Sequence, residues 1–165
     1  GGERWVGAID LLDAPTGGRT PDELRAEIAR HTVEPRTENW TLGTLGEGEG
    51  IAVLDLSIKP IDHPDCRHHL KVTVARGIDH MAHAPEETQA VDAAVDRLIE
   101  ALGSDGIVHL GHITRRRDRQ VHFMCADGDR AKQIATQWAA SERALSPSID
   151  VRPDPGWEVR RELGM

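Results

Sequence analysis

Histidine is the side chain this sequence offers most readily for chemistry. Nine are present, and His109, His112 and His122 fall within one stretch, Gly106–Ala126, GIVHLGHITRRRDRQVHFMCA. Imidazole titrates near neutrality and is a common metal ligand. Two apolar runs, Ile107–Thr114 and Gln120–Ala126, flank a charged Arg115–Arg119, so the stretch reads as a β-hairpin. A three-residue tip at Arg116–Asp118 sets His112 opposite His122 and His109 opposite Cys125. Side chains alternate across a strand. Val108, Leu110, His112, His122 and Met124 then share one face, and Ile107, His109, Ile113, Val121, Phe123 and Cys125 the other. The second set is the bulkier and more branched, so it belongs under helices; the first would form an open sheet face. His112, His122 and Met124, with Asp55 and Lys71 from neighbouring strands, are the binding candidates. A metal or haem is the cofactor they could hold, and acid–base work the chemistry they could do. The blander alternative is that His112 and His122 are half-exposed sheet residues in a partner interface or under the N-terminal segment. Histidine is more often structural than ligating, so that alternative is preferred and no cofactor is predicted.

A second cluster is Asp62–His69, DHPDCRHH, in which His63, Cys66 and His68 are the metal candidates beside His112 and His122. Its spacing lacks the paired arms of a zinc box, and adjacent His68 and His69 point apart in an extended chain. A solvated polar loop is the expected form. The arginine-rich hairpin tip could touch phosphates. With a net charge of -8, no Tyr and a single Phe, the chain lacks the basic field and the Tyr/Phe stacking platforms of a nucleic-acid binder. Gly46–Gly50, GEGEG, lacks the lysine of a phosphate loop and reads as a turn. No serine sits in a G-x-S-x-G elbow. Cys66 beside His68 and His69 could be a reactive thiol, but neighbours in sequence seldom have triad geometry. Two cysteines make no disulfide framework, and a reducing cytoplasm is the simpler setting, a single long-range bridge being the alternative. No apolar run is long enough to span a membrane.

The elements that must position these groups follow from periodicity and punctuation. Trp5–Leu12 reads as a strand, and Thr20-Pro21-Asp22-Glu23 as a capping box opening a helix to about His31. Trp40–Leu45 and Ile51–Ile58 read as strands, Lys59–His69 as a loop. Leu70–Ala75 alternates, with Leu70, Val72 and Val74 inward. Pro85 opens a helix to Leu102, whose buried stripe is Val91, Val95, Leu98, Ile99 and Leu102, with Gly103 just past its end. After the hairpin, Asp127 caps a helix over Asp129–Arg143 with a stripe of Ala131, Ile134, Ala135 and Trp138. Ser148–Val151 is a last short strand. Pro153–Gly156 turns, and Trp157–Leu163 packs back through Trp157. The fold class is therefore α+β. Residues 39–165 are the expected ferredoxin-like domain, in which the order from Leu70 onward is β-α-β-β-α-β, an antiparallel sheet with both helices on one face. An N-terminal β-α-β-β extension precedes it, with residues 1–38 as a segment packed on the body.

Asn39-Trp40-Thr41, Leu54-Asp55-Leu56, Gly111-His112-Ile113-Thr114 and Asp154-Pro155-Gly156-Trp157 occur in an order and spacing that resemble one bacterial family, catalogued as domain of unknown function six-nine-five. The resemblance covers Trp40 to Leu163. That family is similar to regulator of ribonuclease E activity B, a small acidic protein of ferredoxin-like fold that binds and inhibits the nuclease. Where such families place Tyr or Phe in the hairpin, this chain has His122, Phe123 and Met124. The resemblance implies a non-enzymatic regulatory or protein-binding domain of bacterial, cytoplasmic type, with a protein partner and the option of a homodimer. The competing expectation is a metal- or haem-binding protein, or an enzyme, built on the sheet-face histidines.

Overall fold

The structure is a computed structural model describing residues 38–45, 50–75 and 85–165. The expected strand Trp5–Leu12 and the helix from Thr20 lie outside those residues. Contacts divide the chain into units 1–36 and 37–165, and the second is described here.

The class is α+β. In chain order the elements are β1 (Trp40–Leu45), β2 (Gly50–Asp55), β3 (His68–Ala75), α1 (Pro85–Leu102), β4 (Ile107–Arg115), β5 (Asp118–Cys125), α2 (Gly128–Ser141), β6 (Ser148–Pro153) and α3 (Glu158–Glu162). The six strands form one sheet, β1-β2-β4-β5-β3-β6, antiparallel at every pairing. From β3 onward the chain runs β-α-β-β-α-β, and its four strands lie in the order β4-β5-β3-β6. The β1–β2 hairpin adds to the β4 edge.

The periodicities set up the first core. Leu70, Val72 and Val74 are fully buried beneath Val91, Val95, Leu98 and Leu102 of α1 and Ala131, Ala135 and Trp138 of α2. Gly103 takes φ 68° and its N–H closes α1 on the Ile99 carbonyl, a glycine C-terminal cap. The Asp127 carboxylate accepts from Arg130 N–H at 2.9 Å and caps α2. Trp138 Nε1 donates to the Ala94 carbonyl at 2.9 Å, so the largest side chain between the helices buries no free N–H.

The opposite face is not open. Val108, Leu110, Ile113 and Met124 form a second core with Ala52, Leu54, Ile58 and Cys66, closed by Trp157, Val159 and Leu163. The Asp154-Pro155-Gly156-Trp157 turn builds this cover. The Asp154 carboxylate accepts from Glu158 N–H at 2.7 Å and Val159 N–H at 3.0 Å, which starts α3. Trp157, at φ 54°, is driven inward and donates Nε1 to the Cys66 carbonyl at 2.8 Å.

Two further expectations change. β2 stops at Asp55 instead of running to Ile58, because the Asp55 carboxylate accepts from Asn39 N–H, Ser57 N–H and Ser57 Oγ and turns the chain there. β3 starts at His68, so His68 and His69 leave the predicted loop and join the sheet.

Candidate functional site

The hairpin forms, but its register differs from the expected one. The strands are joined through only Arg116 and Arg117, and a β-bulge interrupts β4 between His109 and Gly111. Ile107 lies opposite Cys125 and His109 opposite Phe123. Past the bulge, Gly111 faces His122 and His112 faces Val121. A bulge adds one residue and exchanges the faces beyond it. His112 therefore sits on the helix side with Val121, and Ile113 moves to the second core. The bulge needs glycine. Gly111 has φ 129°, and a Cβ there would collide with the Val53 carbonyl of the neighbouring strand.

His112 and His122 thus do not meet. His122 meets His69 instead. His69 Nε2 and His122 Nδ1 are 3.0 Å apart, and the rings lie in one plane within 1°. Their centroids are 5.3 Å apart along the line of the hydrogen bond, so the rings are edge to edge and not face to face. The ring nitrogens point at one another and not at a common ion. Both side chains are buried, at 3% and 5% exposure. His69 Nδ1 and His122 Nε2 find no hydrogen-bond partner among the described residues.

One proton occupies the line between neutral rings. Of the two outer nitrogens, one is then a bare acceptor and the other an N–H. Burial is the main cause that lowers the pKa of His69 to about 4, with the Arg152 guanidinium adding to it. Burial, then His69 itself, lowers that of His122 to about 3. The pair is uncharged at neutral pH. It could pass a proton from one outer nitrogen to the other, yet both ends are buried, so it is built as a packed pair.

The other sequence candidates are placed as follows. Met124 is fully buried in the second core. Asp55, 4% exposed, is committed to the turn after β2 and is no sheet-face ligand. Lys71 pairs with Asp150 at 3.5 Å. His109 lies between Trp40 and Phe123, with ring centroids at 5.5 Å and 4.9 Å. His112, lowered to about 4 by burial and then by Arg119, neighbours a polar lock between the hairpin and α1. In that lock Arg119 donates Nη1 to Asp92 and Nε to Thr114 Oγ1 at 3.1 Å. Arg119 is itself buried, so only Arg116 and Arg117 form the exposed tip.

The metal candidates are scattered. His63 stacks on Trp157 at 6.2 Å. Cys66 is buried and directs Sγ to the Gly106 carbonyl at 3.6 Å. His68 packs where a Cβ on Gly128 would be, at the start of α2. Among the described residues no group of three or more His, Cys, Asp and Glu side chains converges as a metal site. Cys66 and Cys125 are both free. No helix among the described residues is long and apolar enough to cross a membrane.

Two features escaped sequence reasoning. The His69–His122 pair needs the β3–β5 ladder, which sets Lys71 against His122 and His69 against Met124. The second is the β1–β2 overhang. The buried cluster under α1 and α2 draws its sheet residues from β3 and β5. On the same side, the exposed apolar residues of β1 are Trp40, 43% exposed, and Leu42, 73% exposed, with half-buried Ile51 and Val53 beside them on β2. The Trp-led sequence Asn39-Trp40-Thr41 was the available signal. No protein family, curated protein or solved structure matches this chain.

Proposed function

We propose that this chain is a non-enzymatic, regulatory protein-binding domain, of the bacterial cytoplasmic kind that its sequence resembles. The observation that carries this reading is the β1–β2 overhang. Trp40 and Leu42 hold large apolar surface in solvent on a strand that belongs to the sheet, and an aromatic anchor is the usual centre of a protein interface. Two supports accompany it. Among the described residues, the histidine and cysteine candidates are either packed away in pairs or turns or lie apart on different faces. The net charge of -8 favours a basic partner over nucleic acid or an anionic membrane.

The test is affinity purification of the full chain from its own host, beside a Trp40→Ser/Leu42→Ser variant of unchanged circular dichroism. A stoichiometric partner retained by the parent and lost from the variant is the expected result. A parent that retains no stoichiometric partner, or a variant that retains it equally, refutes the reading.

A further inference from the structure

The two edges of the sheet are built differently. β6 carries Asp150, Arg152 and Pro153, side chains that discourage another strand from pairing there. β1, WTLGTL, has no charge and no proline, and every residue from Trp40 to Thr44 is exposed. Such a strand is a template for pairing.

The hydrogen-bond phase of β1 shows which groups are offered. Leu56 N–H donates to the Asn39 carbonyl at 3.0 Å, and Trp40 faces Asp55 across the ladder. Antiparallel residues alternate between bonding toward and away from their neighbour. Asn39, Thr41, Gly43 and Leu45 therefore bond toward β2. The N–H and C=O groups of Trp40, Leu42 and Thr44 point to the edge that no described strand covers. The residues offering backbone bonds are also those whose side chains form the apolar overhang.

Charge selects the occupant. Glu38 stands at the start of β1, with its Oε2 accepting from Trp40 Nε1 at 2.9 Å, and the chain carries -8 overall. Two copies pairing through this edge would bring like charges together. A strand with apolar residues at alternate positions and Lys or Arg at its ends matches both the overhang and the field. We propose that β1 captures an extended, basic-ended segment of a partner protein as a seventh strand, by β-strand addition. This rests on the protein-binding reading and specifies its mode.

The test uses the full chain with capped probe peptides KVTVTVK and EVTVTVE, followed by residue-resolved amide exchange and titration. The expected result is saturable binding of the lysine-ended peptide. Exchange should slow at least about tenfold at Trp40, Leu42 and Thr44, with little change at Thr41 and Gly43, which already bond to β2. The glutamate-ended peptide should bind at least about fivefold more weakly at low salt, a gap that closes at high salt. Thr44→Pro removes an outward N–H and leaves the β1–β2 ladder its bonds, so it should abolish peptide binding in a folded protein. Protection elsewhere, equal affinity for the two peptides, or no saturable binding overturns the proposal. So does β1 protection that rises with protein concentration alone, which would mean self-pairing. If the partner retained in affinity purification binds Thr44→Pro normally but not Trp40→Ser/Leu42→Ser, the edge mode falls while the protein-binding reading stands.

Discussion

Lowering the pH from 7 to 5 should destabilise the fold through His69 and His122 by about 4 kcal/mol together. Both are buried, with folded pKa values of about 4 and about 3. An unfolded histidine titrates near 6.5. As the pH falls through about 6.5, the unfolded chain takes up protons that the folded pair refuses. The unfolded state therefore binds more protons, and stability decreases with acidification until the folded values are reached. Each histidine costs about 1.4 kcal/mol per pH unit over that window, or about 2 kcal/mol by pH 5. The two rings share a hydrogen bond and titrate as a pair, so their sum is the quantity to measure. Against a typical stability of about 5–15 kcal/mol it is a large fraction. Urea unfolding at the two pH values, for the parent and a His69→Leu/His122→Leu variant, isolates it. The variant should lose about 4 kcal/mol of the pH dependence, whatever its stability at pH 7. A variant with the same pH dependence as the parent would refute the reasoning, since other groups would then carry the acid sensitivity.

Three further outcomes follow from the geometry. Gly111→Ala forces a Cβ against the Val53 carbonyl at φ 129° and should cost about 2–4 kcal/mol, read as a fall in thermal midpoint; an unchanged midpoint would mean the bulge is not required. Asp154→Ala removes the carboxylate that starts α3 and should cost about 1–2 kcal/mol, with Trp157 fluorescence shifting to the red; a parent-like spectrum would show that α3 holds without it. Burial raises the Cys66 thiol and pushes Cys125 up to about 12, so neither should react with iodoacetamide at pH 8 in the native protein while both react in urea. Rapid native alkylation would contradict their burial.

Much of the fold was legible from neighbouring residues. The alternation of Leu70, Val72 and Val74, the Val91–Leu102 stripe, the Asp127 cap and the Gly103 stop are all read over a few positions, and each forms as expected. The turn at Asp55 was less legible. A run of apolar residues to Ile58 looks like one strand, yet a single carboxylate accepting three hydrogen bonds ends it. The site was the least legible. His112 and His122 looked adjacent because a hairpin with a three-residue tip pairs them. A tip one residue shorter slips the register so that His112 faces Val121 and His122 faces Gly111, which places them on opposite faces. His69 looked like a loop residue because its ladder partner is far away in sequence.

By itself the sequence determined that the segments forming α1, α2 and the core of each described strand take those forms, where α1 is capped, and that one face of β3 must be buried. Those properties arise within a turn or two of chain, from side-chain period and capping chemistry. Only the tertiary structure decided which histidines meet, which sheet face the Trp157 turn covers, and which edge of the sheet stays unguarded. Strand pairing is long-range, and a one-residue slip in it exchanges every side chain between faces. A period-two pattern carries no record of that slip, so the His69–His122 pair and the outward amides of β1 come into view only once the ladder is in place.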